Sequence, residues 1–292
     1  MDKLLDGRAV VITGSGRGLG RAYALAAAAE GAAVVVNDLD RDAANDTVAE
    51  ITNSGGRAIA GVQDVSDWDA AGELINLCVD SFGAIDGLVN NAGVLRINRP
   101  EEQTRRDTLD VVNSSVIGTV ACTTHALQHM CAAGRGVIVN VTSGQQMGAP
   151  AMAVYGAAKA AVATLTYSWS HDLVAEGVRV NAISPNAHTR MADAYEEFLG
   201  PRAAGQNVGI SPELNAPLVV YLLSELSDGV SGQVFRFDGQ SLMVCSHPAV
   251  IDRDAYLPPE CTARDIASVV ASELTGLFQP VGLRRIKPPE FS

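Results

Sequence analysis

Short apolar runs bounded by glycine or polar residues alternate along the chain with longer, alanine-rich or amphipathic stretches. Arg8 to Thr13 (Arg-Ala-Val-Val-Ile-Thr) has no polar alternation and ends in glycines, the mark of a parallel strand covered on both faces. Arg21 to Glu30 then reads as an alanine-rich helix, and Ala32 to Val36 as the next strand. The pattern continues with helix 41–53, strand 57–63, helix 68–82, strand 87–90, helix 102–131, strand 136–141, helix 154–176 and strand 179–183. A helix over 212–224 and a strand over 233–238 close the series. Strands alternating with helices of this length predict a parallel sheet with helices on both faces. Right-handed crossovers make it a doubly wound, Rossmann-like α/β fold of three layers.

No Pro/Gly/Ser-rich linker and no charge block divides the alternation, so a single domain is expected, followed by a peripheral extension. The extension holds a predicted helix from Ala263 to Leu277, with Thr262 as N-cap and Asp265 completing a capping-box-like pair. Its end, Lys287-Pro288-Pro289-Glu290, is expected to be extended.

The composition narrows the function. A hydrophobic content of 47% with only 5% aromatic residues suits an alanine- and valine-rich layered core. A formal net charge of -12 argues against a nucleic-acid partner, which needs a basic surface to displace counterions, but leaves room for an anionic cofactor held by local groups. Met1 to Arg8 carries charge where a signal peptide needs an apolar run, and no stretch of eighteen apolar residues occurs, so a cytoplasmic protein without a membrane partner is expected. The five cysteines and five histidines are dispersed, without zinc spacing or a hydrolase signature, so neither a metal site nor a Ser-His-Asp triad is expected.

Two constellations carry chemistry. The first strand runs into Thr13-Gly14-Ser15-Gly16-Arg17-Gly18-Leu19-Gly20 at the head of a helix. Glycines there allow a tight turn, close approach of backbone to a pyrophosphate, and an anion at the helix N-terminus. Asp38, at the end of the second strand, is placed to bond the hydroxyls of an adenosine ribose, which favours NAD over NADP. It could also simply cap that strand end, and Arg17 is a counter-signal because a nearby arginine can hold a 2′-phosphate. The second constellation is Tyr155 and Lys159, four apart and therefore on one helical face, with Ser143 upstream in Val-Thr-Ser. A tyrosine is a poor base at neutral pH unless a cation favours its phenolate, and a lysine one turn away is such a cation. Taken alone, the pair also describes a half-buried aromatic beside a solvated lysine.

With these residues the chain resembles the short-chain dehydrogenase/reductase family, in its single-domain branch, from about Leu5 to Gly239. The resemblance implies an NAD(P)-binding domain over residues 1–244 that includes the catalytic residues, and an extension over 245–292 packing on the domain or on a neighbouring subunit. The family's Asn-Asn-Ala-Gly stands here as Asn90-Asn91-Ala92-Gly93, its adenine-contacting Asp as Asp64 followed by Val65, and its catalytic Ser, Tyr and Lys as Ser143, Tyr155 and Lys159. The cofactor residues it implies are Gly14, Arg17, Gly18, Leu19, Asp38, Asp64, Val65, Asn91, Ala92, Gly93, Tyr155 and Lys159.

The chain departs from the family at two places. Counting back from Ser143 without a gap puts Ser115 where the family often has an Asn that relays protons from the lysine. Either Ser115 holds the relay water, or a local bend brings in Asn113, or neither takes part. The family's Pro-Gly after the sixth strand is replaced by Pro185-Asn186-Ala187-His188-Thr189-Arg190-Met191, which looks like the dehydrogenase unit of multifunctional β-oxidation enzymes that oxidise 3-hydroxyacyl-CoA or hydroxysteroids. By that resemblance Thr189 bonds the nicotinamide carboxamide and Pro185 and Asn186 pack near it. Met191 to Gly209 falls at the family's substrate lid, its Tyr195, Phe198 and Leu199 facing either substrate or core. The expected function is reversible hydride transfer between NAD and a secondary alcohol or ketone, in a homodimer or homotetramer. The alternatives are an NADPH-dependent ketone reductase and a weakly catalytic NAD-binding scaffold or sensor.

Overall fold

The computed structural model describes residues 3–200, 210–238, 240–248, 263–274 and 276. The chain begins β1 (Ala9–Ile12), α1 (Gly18–Ala29), β2 (Ala33–Asn37), α2 (Arg41–Asn53), β3 (Arg57–Gly61), α3 (Trp68–Phe82) and β4 (Gly87–Asn90). It continues α4 (Arg105–Val112), α5 (Gly118–Ala133), β5 (Gly136–Val141), α6 (Ala153–Asp172), β6 (Val178–Pro185), α7 (Arg190–Leu199) and α8 (Ala216–Leu223). β7 (Val234–Phe237), β8 (Leu242–Val244) and α9 (Ala263–Val269) complete it. One sheet runs β3-β2-β1-β4-β5-β6-β7-β8, parallel throughout except for the antiparallel β8. Strand order reverses between β1 and β4, and a doubly wound sheet binds its ligand in the crevice outside that switch point.

The apolar runs work as read. Successive strand side chains point to opposite faces. Val10, Ile12, Val34 and Val36 therefore enter one core cluster with Tyr23 and Leu222, while Val11, Val35 and Leu88 enter the other with Leu74, Ile75 and Met130. Each such fully buried aliphatic side chain contributes about 1.5–3 kcal/mol relative to exposure, so both helical layers are anchored before any polar contact is counted.

Three expectations change. The helix expected over 102–131 is broken into a 3-10 turn at Pro100–Glu102, α4, a π-helical turn at Asn113–Ile117, and α5. Ser114 Oγ donates to the Asp110 carbonyl at 2.7 Å and Thr119 Oγ1 to the Ser115 carbonyl at 2.7 Å, and such back-bonding by Ser and Thr competes with the helical ladder. The helix expected over 154–176 ends at Asp172, followed by a 3-10 turn at Val174–Glu176 and left-handed Gly177. Strand β8 was not anticipated: Leu242 and Val244 are exposed on the sheet edge and show no apolar period. Beyond it, Cys245 is buried, with its N–H on the Val234 carbonyl at 2.8 Å, and the His247 ring lies 4.2 Å from that of Tyr167. In the extension, α9 runs on into a π-helical turn at Val270–Leu274; the N-cap Thr262, the remainder of the predicted helix and the proline-rich end lie outside the described residues. Among the described residues no helix is long and apolar enough to cross a membrane.

Candidate active site

The glycine loop is held by the end of β4. Thr13 Oγ1 accepts the N–H groups of Asn91 and Ala92, both at 3.0 Å, and Asn91 Nδ2 donates to the carbonyls of Thr13 at 2.9 Å and Gly14 at 2.8 Å. Asn91 therefore serves the cofactor site by shaping the loop, its amide hydrogens spent on backbone. Gly14 sits at φ +61°, and a Cβ on it would come within 2.9 Å of Ala92 Cα, so no other residue fits between the two segments. Gly18, at φ +56°, opens α1, whose N-cap Arg17 makes no side-chain capping bond, while Leu19 packs on the core. The first amides of α1 thus receive no capping side chain.

Asp38 follows β2 directly and is fixed at both oxygens: Oδ2 accepts from Gly16 N at 3.0 Å and Oδ1 from Asp40 N at 3.0 Å. A carboxylate has about four acceptor positions, so capacity remains for two hydroxyls. Arg17 is paired with Asp40 at 2.6 Å. The Asp40 carboxyl is held below its ordinary range by the Ala43 N–H it caps, with Arg17 adding to the effect. Sequence reasoning missed Asn37: its Nδ2 reaches the carbonyls of Gly61 at 3.2 Å and Gln63 at 2.9 Å, joining the end of β2, which leads into Asp38, to the end of β3, which leads toward Asp64. A buried asparagine closing a run of valines was the available signal. Asp64 accepts from Ser66 N at 2.9 Å and Ser66 Oγ at 2.7 Å, and Val65 is buried against Gly118, where a Cβ would stand 3.0 Å from Val65 Cγ2.

Ser143, Tyr155 and Lys159 converge at the C-terminal ends of β4 and β5. Ser143 leaves β5 into the 3-10 turn Gly144–Met147, and its hydroxyl donates to Gln145 Oε1. Lys159 is 4% exposed, its Nζ donating to the Val141 carbonyl at 2.8 Å and lying 5.9 Å from the centre of the Tyr155 ring. Burial lowers the Lys159 pKa from 10.5 to about 8. Tyr155 moves the other way: burial raises it above its ordinary value, and the Ser143 hydroxyl is the neighbour that draws it down. Lys159 is itself desolvated and directs a proton at the Val141 carbonyl.

Ser115 is 1% exposed, and its Oγ has no hydrogen-bond partner among the described residues. A Cβ on Gly93 would lie 3.0 Å from Ser115 Oγ and 3.5 Å from Lys159 Nζ, so both polar atoms border the gap that this glycine leaves. The helix widens here into the π-helical turn Asn113–Ile117, yet Asn113 is exposed.

The segment after β6 is tied back to the sheet. Asn186 N donates to the Phe237 carbonyl at 3.0 Å, and the Asn186 carbonyl accepts from the buried Asn215 Nδ2 at 3.0 Å, a residue that nothing in the sequence pattern singled out. Thr189 caps α7 by accepting from Ala192 N at 3.3 Å, and His188 pairs with Asp193 at 2.7 Å, both half exposed. None of the residues of α7 is buried, which removes the reading of Tyr195, Phe198 and Leu199 as core. The Tyr195 and Phe198 rings stack at 6.4 Å, and Tyr195 Oη donates to the Pro150 carbonyl at 3.0 Å. The rest of the expected lid, 201–209, lies outside the described residues.

These residues fit a nicotinamide dinucleotide: uncapped amides beside a glycine turn, a fixed carboxylate at the end of β2, and a buried lysine beneath a tyrosine on the same side of the sheet. The family model described as short chain dehydrogenase matches residues 8–198. The (2S)-[(R)-hydroxy(phenyl)methyl]succinyl-CoA dehydrogenase subunit BbsD of Thauera aromatica is 34% identical over 240 residues, covering 80% of this chain and 96% of that protein. The peroxisomal multifunctional enzyme type 2 of Mus musculus is 36% identical over 233 residues, which span 75% of this chain and 30% of that longer protein. The crystal structure of a short chain dehydrogenase from Mycobacterium avium superposes with a TM-score of 0.79 at 36% identity, covering 95% of this chain and 98% of the other. The chain belongs to the short-chain dehydrogenase/reductase family, oxidoreductases that act on hydroxyl and keto groups with a nicotinamide cofactor.

Proposed function

We propose that the protein transfers a hydride reversibly between NAD and a secondary alcohol or ketone, with Tyr155 exchanging the hydroxyl proton. The observation that carries the reading is the buried Lys159 ammonium beneath the Tyr155 ring, with Ser143 against the phenol. When bound, the nicotinamide supplies the hydride acceptor or donor. Gly14, Arg17, Gly18 and Leu19 would hold the pyrophosphate, Asp38 the adenosine ribose, and Asp64 with Val65 the adenine. Ala92, Gly93, Tyr155 and Lys159 would line the nicotinamide ribose, and Pro185, Asn186 and Thr189 the nicotinamide itself.

In oxidation Tyr155 acts as phenolate and takes the substrate proton; in reduction it returns one as phenol. Ser143 donates to the substrate oxygen and fixes its distance from the phenol. Lys159 is charged at neutral pH even with its lowered pKa, and Ser115, its oxygen unpartnered across the Gly93 gap, offers a stop for a water that carries a proton outward. NAD is favoured over NADP because a 2′-phosphate would meet the Asp38 carboxylate, while the Arg17 charge is engaged by Asp40.

The substrate class we favour is an apolar secondary alcohol such as a hydroxysteroid or a 3-hydroxyacyl-CoA. An α7 that lies outside the core with Tyr195 and Phe198, and a Thauera relative named for a CoA thioester, support it. Exposed Leu109 and Ile117, together with the small exposed residues Ala153 and Ala157 of α6, suit self-association into a dimer or tetramer. An NAD-reduction assay over hydroxysteroids, 3-hydroxyacyl-CoAs and simple secondary alcohols tests the reaction, with Tyr155→Phe as control. That variant is expected to bind NAD and lose turnover, and substantial residual turnover would sink the assignment.

A further inference from the structure

The Ser143 hydroxyl has one proton, and three acceptors compete for it. In the structure it goes to Gln145 Oε1. The Tyr155 oxygen is within reach of the same hydroxyl, which would lower the phenol's pKa by donating to it instead, and the substrate oxygen is the third claimant. We propose that Gln145 is a positioning residue that holds the Ser143 proton away from Tyr155 until the substrate oxygen takes it. The inference rests on the acid/base roles given above to Ser143 and Tyr155.

The backbone shows why Gln145 can do this reliably. It lies in the 3-10 turn that Ser143 opens, and Gly148 N closes on its carbonyl at 2.9 Å. That carbonyl is pressed against α6 at Gly156, where a Cβ would stand only 2.6 Å from it. Gly156 is the residue after Tyr155. The glycine that admits the turn is therefore bonded to the residue whose phenol the turn regulates, and Gln145, Ser143 and Tyr155 keep a common frame. An amide oxygen is a neutral acceptor: strong enough to orient a hydroxyl, weak enough to release it to a developing alkoxide, which accepts a charge-assisted bond. Tyr155 has few other controls. Burial and the Ser143 hydroxyl set its acidity, Lys159 lies beneath its ring, and on the neighbouring loop and lid Arg96 is paired with Asp107 and Asp110, and His188 with Asp193.

The test is the pH dependence of kcat/KM for alcohol oxidation by the full chain, using whichever alcohol of the panel is turned over. Gln145→Leu removes the acceptor, so Ser143 turns to the phenolate, and the rising limb is expected to move to lower pH by about one unit, the scale of one hydrogen bond to a charged group. Gln145→Glu gives a stronger acceptor and a negative charge, so the limb is expected to move to higher pH. A side chain that only supported the turn would change rate or stability without moving the limb in opposite directions. Should the leucine variant fail to fold, the glutamate variant alone carries the test. Limbs that stay put in the folded variants, with Tyr155→Phe inactive, overturn the role of Gln145 and leave the acid/base reading standing. A Tyr155→Phe enzyme that still turns over removes that reading and this inference with it.

Discussion

Replacing Lys159 by methionine should stabilise the cofactor-free protein at neutral pH while abolishing turnover. The lysine is 4% exposed, and burial takes its pKa from 10.5 to about 8, a difference of about 3 kcal/mol between charged and neutral forms. The sign follows from proton counting. Between about pH 8 and 10.5 the unfolded chain binds more protons at this group than the native chain, so native stability rises with pH across that window. Below it the full cost of burying the ammonium is present; above it the group is neutral in both states. Methionine removes that cost but leaves the Val141 carbonyl, now bonded at 2.8 Å, without its donor, a loss of about 1–2 kcal/mol. Lys159→Met is therefore expected to be more stable than the parent by about 1–2 kcal/mol at pH 7 and less stable by a similar amount above pH 10.5. Urea denaturation at both pH values, without cofactor, reads the difference. A variant less stable than the parent at pH 7, or a difference that does not change with pH, would refute the argument that a desolvated charge sits beneath Tyr155.

Ser115→Ala should leave NAD affinity unchanged and lower kcat by about tenfold, less than the roughly 10²–10⁴ of a direct acid or base because Ser115 acts only through water, and a kcat equal to the parent's in steady-state assays would remove Ser115 from the relay. Gly93→Ala should lower kcat further, because its Cβ would crowd Ser115 Oγ at 3.0 Å and Lys159 Nζ at 3.5 Å; thermal denaturation should show no comparable loss. Asp38→Ala should lower the ratio of kcat/KM with NAD to that with NADP by tenfold or more, about 1.4 kcal/mol, since it removes two hydroxyl acceptors and the negative charge facing a 2′-phosphate. An unchanged ratio would assign cofactor choice to Arg17.

The parts of the site legible in the chain are those whose function follows from local geometry. Gly14 and Gly18 announce a turn, and Tyr155 and Lys159 share a face because helices repeat every 3.6 residues. Gln145 and Asn215 were not legible, and Asn37 showed only as a polar end to a run of valines, since each matters through a partner that only the fold supplies: Gly61 and Gln63 at the end of the next strand, the Ser143 hydroxyl, and the Asn186 carbonyl. The break in the helix expected over 102–131 was hidden for a related reason. The helical pattern reads through Asn113–Ile117, while the competing bonds of Ser114 and Thr119 are side-chain choices of the folded state.

The clamp between Asn91 and the glycine loop also bears on when each part of the site meets its partners. Read from the N-terminus, the hydrogen bonds that fix the glycine loop and Asp38 are available once the chain has reached Asn91: Thr13 and Gly14 with Asn91, Asp38 with Gly16, and Asn37 with Gly61. The segment at Asn186 must wait for Asn215 and Phe237, which emerge from the ribosome about as late as any part of the domain. The hydrogen-bond partners at the adenosine end are therefore all synthesised before those of the segment after β6, while the core beneath that end is completed only when Leu222 of α8 arrives.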